Sequence, residues 1–162
     1  MIDLPKRKPT RLKNYDYSNN GYYFITICTD KKQCILGNIV GDGALDVPKM
    51  ILSKQGKIVE KYILSTNNIP KLNVDKFIIM PNHIHLILSI QNGTSKAPSP
   101  TNNIISHAIS TLKRFTNAEI GYNIFQRSFY DHIIRGEEDY LKIWNYIDTN
   151  PQKWKEDKFY TE

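Results

Sequence analysis

Two histidines separated by one residue, His83 and His85, have the spacing in this 162-residue chain that best suits metal chemistry. They begin an apolar run over 83–90 that predicts a buried strand. Side chains at positions i and i+2 of a strand leave the same face, so we expect the two imidazoles to point together. Imidazoles are common ligands of divalent metal ions, and this pair can form half of a metal site. The alternative is that both histidines only make hydrogen bonds in the interior.

A second polar pair, Tyr146 and Asn150, lies on a predicted helix near the end of the chain. Residues four apart share one face of a helix, so the two side chains can approach the histidines together. The Asn150 carbonyl oxygen is a hard ligand suited to Mg²⁺ or Mn²⁺, and a tyrosine hydroxyl can act as a nucleophile. Tyr140 lies on another side of the helix and is expected to pack in the core. Because the chain has ten tyrosines, a packing role is the simpler alternative for Tyr146 on spacing alone.

The first fourteen residues are predicted to form a basic arm. Prolines at positions 5 and 9 oppose helix formation, so the arm over 1–14 is expected to be extended. It has one acidic residue, and the formal net charge of the whole chain is +6. Its basic residues are Lys6, Arg7, Lys8, Arg11 and Lys13. Such arms commonly bind nucleic-acid phosphates through electrostatic attraction, and the alternative is a solvated tail.

The length and composition predict one domain over 1–162 with a hydrophobic core. Hydrophobic residues make up 40% and charged residues 23% of the chain, as in soluble globular proteins. No stretch is long and apolar enough for a membrane span, and the first residues lack the apolar core of a secretory signal. We therefore expect a cytoplasmic protein without a membrane partner. Cys28 and Cys34 are too few for a disulfide scaffold and are expected to be reduced.

Hydrophobic periodicity predicts alternating strands and helices. Strands are expected at 22–28, 35–40, 44–47, 74–80 and 83–90, with another ending at 129–133. Helices are expected over 52–65 with Ser53 as a cap, after Asn102 or Asn103, and from Gly136 to the turn at Pro151. By composition, 91–102 is a flexible loop and 152–162 is a polar, mobile tail.

The order of these predicted elements indicates an α+β fold. Without the small hairpin, the order is β-α-β-β-α-β followed by a helix, which is that of a ferredoxin-like split βαβ fold. Its antiparallel sheet carries helices on one face, and the other face stays open for a site. The additional C-terminal helix carries Tyr146, so it can meet the histidine pair on that open face.

Four segments of the chain, in order, resemble the REP-associated tyrosine transposases. These belong to the HUH single-strand transposase superfamily with one catalytic tyrosine and an insertion-sequence-200-like transposase domain. His83-Ile84-His85 is similar to the His-hydrophobic-His motif of that superfamily. The segments are 7–17 (RKPTRLKNYDY), 79–87 (IMPNHIHLI), 126–135 (QRSFYDHIIR) and 137–151 (EEDYLKIWNYIDTNP). Phe125 stands where a tryptophan is common in the family, which we interpret as a packing difference.

The resemblance implies a role for each matching residue. It implies that Tyr146 is the nucleophile and that His83, His85 and Asn150 are metal ligands. The position of Asn150 is a glutamine in the insertion-sequence branch and an asparagine in the REP-associated branch, so this residue favours the second branch. The implied cofactor is Mg²⁺ or Mn²⁺, and the implied partner is single-stranded or hairpin DNA. Relatives act as monomers or as homodimers. The implied product is a 5′-phosphotyrosine link with a free 3′-hydroxyl.

Several basic residues are candidates for DNA contacts. In REP-associated members a segment like the basic arm helps to recognise the foot of a DNA hairpin. The candidates are Arg7, Lys8, Arg11, Lys13, Lys113, Arg114, Arg127 and Arg135. A solvated helix face is the alternative for Lys113 and Arg114. His132 can support the site, touch DNA or have a structural role.

The combined prediction is a metal-dependent transposase that acts as a single-stranded DNA endonuclease and strand transferase. We expect it in the cytoplasm, associated with the nucleoid. One alternative is a DNA-binding relative that has lost catalysis, but the complete set of His83, His85, Tyr146 and Asn150 argues against it. Another is an HUH replication or mobilisation nuclease, but those usually carry further domains, which 162 residues cannot hold.

Overall fold

The computed structural model describes Tyr15, Tyr17 and residues 19–41, 44–91 and 103–161. The predicted basic arm over 1–14, with Arg7, Lys8, Arg11 and Lys13, lies outside the described residues. So does all of the predicted loop over 91–102 except its first residue.

Strands and helices alternate along the described part of the chain. The strands are β1 (Gly21–Cys28), β2 (Gly37–Val40), β3 (Lys49–Leu52), β4 (Leu72–Met80), β5 (His83–Ile90) and β6 (Tyr130–Ile134). The longer helices are α1 (Lys54–Ser65), α2 (Ile104–Ile120) and α3 (Gly136–Thr149). Short 3₁₀ helices lie at Asp30–Lys32, Thr66–Asn68 and Trp154–Glu156. None of the described helices has the length and hydropathy needed to span a membrane.

The small hairpin differs from its prediction. The strand predicted at 44–47 is wrong, because the returning strand is β3, which lies beyond Pro48 and pairs Gly37 with Leu52. Met50 and Leu52 pack against the main core, whereas Leu45 is 98% exposed. Pairing from residue 49 therefore buries apolar side chains that pairing over 44–47 would leave in water.

The capping residues of the first two helices agree with the sequence prediction. Ser53 caps α1, and its Oγ accepts a hydrogen bond from the Gly56 amide at 3.0 Å. Asn103 caps α2, and its Oδ1 accepts from the Ser106 amide at 3.0 Å. Gly121 ends α2 with a φ of 95°, a left-handed conformation that favours glycine.

The main sheet has the strand order β4-β5-β1-β6, and every neighbouring pair in it is antiparallel. This agrees with the predicted α+β class and antiparallel sheet. Strand β5 is central and has neighbours on both sides. Its first residues are in register with β1, so that His83 lies opposite Cys28 and His85 lies opposite Thr26.

The two faces of the sheet bury different sets of side chains. Helices α1 and α2 cover one face, where residues such as Val59 and Ile109 pack against Ile25 and Leu86. Helix α3 covers the other face through a smaller cluster, which contains Ile87, Ile134, Ile143 and Ile147. Because Ile87 shares the alternation of the two histidines, His83 and His85 lie on the α3 face.

Gly56 allows α1 to pack closely against the chain before it. An added Cβ at this position would collide with the Leu36 carbonyl oxygen, which accepts a hydrogen bond from the Ser53 amide at 2.9 Å. We expect Gly56→Ala to lower the free energy of unfolding by about 1–3 kcal/mol, as other overpacked substitutions do. Helix propensity alone predicts the opposite, a gain of about 1 kcal/mol. Urea unfolding measures this free energy, and Lys57→Ala, a substitution at an exposed neighbouring position, is the control. A Gly56→Ala variant as stable as the control would contradict the close approach.

Candidate active site

The two predicted histidines lie side by side and are completely enclosed. Their ring centroids are 4.5 Å apart, and the residues are 0% and 1% exposed. The Phe159 ring, from the C-terminal segment, lies 4.6 Å from the His83 ring. The predicted common orientation of His83 and His85 is therefore confirmed.

Asn82 determines which nitrogen of His83 carries the proton. Its amide nitrogen donates to the carbonyl oxygens of Phe159 at 2.8 Å and Lys32 at 3.2 Å. The amide oxygen consequently faces His83 and accepts a hydrogen bond from its Nδ1 at 2.9 Å. A neutral His83 therefore presents an unprotonated Nε2, which is the form that binds cations.

Thr26 holds His85 in a similar way from the neighbouring strand. The Thr26 hydroxyl oxygen lies 2.8 Å from Nδ1 of His85. When Nδ1 donates to that hydroxyl, Nε2 of His85 is left as an acceptor. Nε2 lies 3.3 Å from the hydroxyl oxygen of Tyr146, which can donate to it.

Burial keeps both imidazoles neutral. Loss of hydration lowers the pKa of His83 to about 4, and Lys158 and Lys32 act in the same direction while Asp157 opposes them. Burial, with smaller effects from His83 and Lys158, also holds the pKa of His85 well below its ordinary value. Neutral imidazoles are the state required of metal ligands.

The low pKa of His83 predicts that folding stability falls in mild acid. Between the unfolded value of 6.5 and the folded value of about 4, the unfolded chain binds more protons, so stability decreases as the pH falls through this range. The part due to His83 should reach about 3 kcal/mol at pH 4. Urea unfolding of metal-free protein against pH measures it. His83→Gln should remove this part of the slope, and the exposed His107→Gln should retain it. Equal slopes in the two variants would contradict the prediction.

A third potential ligand, Asp157, comes from the C-terminal segment. Its side chain is 2% exposed, and Oδ2 lies 3.9 Å from Nε2 of His83. Ligand atoms of His83, His85 and Asp157 all lie within 4.8 Å of one another. Asp157 Oδ2 also accepts hydrogen bonds from Nδ2 of Asn150 at 3.1 Å and from the Tyr146 hydroxyl at 3.4 Å.

Sequence reasoning did not single out Asp157, Asn82 or Thr26. Asp157 lies in the segment predicted to be a polar, mobile tail, yet that segment packs over the histidines and buries Phe159 to 7% exposure. Its sequence, KWKEDKF, contains no recognisable ligand spacing. For Asn82, the indication in the sequence was that it directly precedes His83, which it contacts in the structure.

Asn150 lies at the C-terminal end of α3 and is 2% exposed. Its Oδ1 and the Nε2 of His83 are buried without a hydrogen-bond partner among the described residues. Each such atom costs about 1–3 kcal/mol. The His83 lone pair also faces a carboxylate with no proton between them. A divalent cation held between His83, His85 and Asp157 would satisfy the His83 nitrogen and balance the carboxylate, so the residues present fit a metal ion.

Tyr146 borders the site and remains accessible, with 37% exposure. Its ring lies 5.2 Å from His85 and 6.1 Å from Phe24, centroid to centroid. Burial, followed by the negative charge of Asp157, raises the pKa of its hydroxyl to about 12. Without a cation the phenol is therefore protonated at neutral pH.

The structure gives Lys113 a different role from the predicted DNA contact. Its ammonium donates to the carbonyl oxygens of Gln126 at 2.7 Å and Ser128 at 3.1 Å, and burial lowers its pKa to about 8. It therefore holds the loop before β6. The other described candidates, Arg114, Arg127 and Arg135, are exposed.

Comparison with known proteins identifies relatives of this chain, although no protein-family model matches it. An uncharacterized protein of Haemophilus influenzae (strain ATCC 51907 / DSM 11121 / KW20 / Rd) is 33% identical over 180 residues, which cover 96% of this chain and 94% of that protein. The chain belongs to the family of that protein. The REP-associated tyrosine transposase of Escherichia coli (strain K12) is 27% identical over 103 residues, 64% of this chain and 58% of that protein.

A solved structure shares the fold of this chain. It is a REP-associated tyrosine transposase bound to a REP hairpin, with a TM-score of 0.62 and 21% identity, covering 88% of this chain and 73% of that chain. The predicted resemblance to REP-associated tyrosine transposases is therefore confirmed in fold and in weak sequence similarity. Membership of the HUH superfamily stays a prediction.

Proposed function

We propose that the chain is a metal-dependent tyrosine transposase, a nuclease and strand transferase acting on single-stranded or hairpin DNA. The observation that carries this proposal is the position of the Tyr146 hydroxyl, 3.3 Å from Nε2 of His85 and 3.4 Å from Asp157. Metal-assisted phosphoryl transfer needs a nucleophile beside a group of metal-binding side chains, and Tyr146 lies beside His83, His85 and Asp157. The similarity to REP-associated tyrosine transposases supports DNA as the substrate.

The fold supports the same proposal. We assign the sheet order β4-β5-β1-β6, with α1 and α2 on one face, to the ferredoxin-like split βαβ fold of the HUH superfamily. Helix α3 is then the additional helix that presents Tyr146. The nucleophile and both histidines come from one chain, which favours a site that is complete within a monomer. A DNA substrate is also consistent with the expected cytoplasmic, nucleoid-associated location.

His83, His85 and Asn150 would hold the metal ion, together with Asp157. Oxygen ligands suit Mg²⁺ and Mn²⁺, and imidazole nitrogens suit transition metals, so Mn²⁺ is the ion compatible with both ligand types. When bound, the ion supplies electrostatic stabilisation of the charge that develops on the attacked phosphate. Asn82 and Thr26 keep the two imidazoles oriented toward it.

Tyr146 carries out the covalent step. Its oxygen forms a bond to phosphorus as the bond from phosphorus to the 3′-oxygen breaks, which leaves a 5′-phosphotyrosine and a 3′-hydroxyl. Because Nε2 of His85 would be occupied by the metal ion, the acceptor that lies within reach of the tyrosine proton is Oδ2 of Asp157, 3.4 Å from the hydroxyl. Because the phosphodiester is replaced by another phosphodiester, the reverse attack can rejoin strands without ATP.

Incubation with labelled single-stranded hairpins tests the proposal. The hairpins should carry single-stranded flanks, and the reactions should contain Mg²⁺, Mn²⁺ or a chelator. We expect a protein–DNA adduct on a denaturing gel with a metal ion and none with the chelator. Fully duplex DNA of the same sequence is the matched control. Tight hairpin binding without any adduct would instead support the non-catalytic DNA-binding alternative.

A further inference from the structure

A cavity of about 320 Å³ opens beside the proposed nucleophile, between the end of α3 and the C-terminal segment. Tyr146, Asn150 and Asp157, which belong to the site, line one part of it. Lys153 and Lys158 line another part, and neither was a candidate from the sequence. Ligand sites range upward from about 300 Å³, so this cavity suits a group of roughly nucleotide size.

The backbone positions both lysines toward this cavity. The Lys153 amide donates to the carbonyl oxygens of Thr149 at 3.2 Å and Asn150 at 3.1 Å. These hydrogen bonds extend the helical path by one turn beyond the end of α3. Tyr146, Asn150 and Lys153 thus follow one another at i, i+4 and i+7, the spacing of one helix face.

Lys158 is held by the turn that also holds Asp157. The Phe159 amide donates to Oδ1 of Asp157 at 2.7 Å, and the Lys158 ammonium lies 4.9 Å from the centroid of the Phe159 ring.

The charges around the cavity favour an anion once a cation is bound. Lys153 and Lys158 are balanced by Glu156 and Asp157, so the lining is neutral without a metal ion. A divalent ion on Asp157 changes this balance to +2. Both lysines are exposed, and neither forms an ion pair with a described residue. Lysine ammonium groups are common point-charge ligands of phosphate.

We propose that this cavity binds the phosphodiester that Tyr146 attacks, with Lys153 and Lys158 on its non-bridging oxygens. The inference rests on the proposed function, since it assigns the substrate group to a defined place beside the nucleophile. It also makes occupancy by the phosphate dependent on the metal ion.

Binding of a fluorescent hairpin with single-stranded flanks tests this assignment in the Tyr146→Phe background, where no covalent step occurs. With Mn²⁺ present, the double variant Lys153→Ala/Lys158→Ala should bind about tenfold more weakly than its parent. The slope of log affinity against log salt should fall by about 0.7 for each lysine. The gain in affinity from Mn²⁺ should also be lost. The matched control is Lys142→Ala/Lys155→Ala, two exposed lysines on α3 and the C-terminal segment that do not line the cavity.

A neutral methylphosphonate, moved one linkage at a time through the flanks, locates the phosphate. At one linkage, the methylphosphonate should weaken binding by the parent and by the control variant but not by the lysine variant. The neutral linkage and the lysine substitutions remove the same interaction, so their effects should not add. In the wild-type protein, the adduct should map to that linkage. Additive losses at every position, or equal losses in the lysine and control variants, would overturn the assignment. Non-additivity without an adduct from the wild type would keep the phosphate site and reject the nuclease function.

Discussion

Tyr146→Phe should abolish the covalent protein–DNA adduct while leaving the affinity for hairpin DNA within about twofold. The substitution removes only the hydroxyl, and the ring keeps its contacts with His85 and Phe24. Loss of a nucleophile that no other group replaces lowers the rate by more than about 10⁴-fold in well-studied cases. Adduct yield is read on a denaturing gel, and affinity is measured by fluorescence anisotropy with the same hairpin.

Tyr140→Phe is the matched control for this experiment. Tyr140 lies on the same helix but packs beside Trp144, and its hydroxyl donates to Asp75 at 3.3 Å. Its substitution should leave the adduct yield unchanged. An adduct that persists in Tyr146→Phe would refute Tyr146 as the nucleophile, and an adduct lost only in Tyr140→Phe would transfer that role to Tyr140.

Asp157→Asn should weaken Mn²⁺ binding by about 100-fold or more, somewhat beyond the loss typical of residues that only support a ligand. The substitution keeps the shape of the side chain and removes the negative charge that faces Nε2 of His83. Adduct formation should fall at low Mn²⁺ and recover in part at high Mn²⁺, because the two histidines and Asn150 remain. Calorimetric titration of the protein with Mn²⁺ measures the affinity without DNA.

Glu156→Gln provides the control for Asp157→Asn. Glu156 is the neighbouring residue, carries the same charge and is exposed. Its substitution should change Mn²⁺ affinity by less than about threefold, since exposed charges are strongly screened by solvent. Equal Mn²⁺ affinity in Asp157→Asn and the wild type would exclude Asp157 as a ligand and would limit the site to His83, His85 and Asn150.

The histidine half of the site was predictable because strand alternation is a local property. His83 and His85 alternate with Ile84 and Leu86, so the two imidazoles leave one face of β5 and the two aliphatic side chains leave the other wherever the sheet is placed. The spacing of Tyr146 and Asn150 is likewise local to α3. Their approach to the histidines was expected only from the order of elements and the family resemblance.

The carboxylate of the site was not predictable because its position depends on tertiary packing. Asp157 reaches the histidines only because Phe159 is buried against them and its carbonyl oxygen accepts from Asn82. Those contacts join residues far apart in sequence within a segment whose composition suggests a tail. Lys113 shows the converse, because a lysine on a helix suggested a free charge, whereas the fold brings backbone carbonyls to it.

The position of strand β3 was not predictable from the local sequence pattern. Apolar residues occur both before and after Pro48, and each stretch is compatible with a strand. Only the burial of Met50 and Leu52 against the core distinguishes the two registers. Local pattern therefore predicted that a hairpin exists but not which residues pair.

Peptide mapping of the protein–DNA adduct by mass spectrometry identifies the residue that carries the DNA. Wild-type protein is incubated with a single-stranded hairpin and Mn²⁺, digested with nuclease and protease, and searched for a nucleotide-bearing tyrosine peptide. We expect one modified peptide, with the 5′-phosphate on Tyr146 and a matching DNA fragment that ends in a 3′-hydroxyl. A modification at another tyrosine, or unmodified peptides from protein that binds the hairpin tightly, would contradict this expectation.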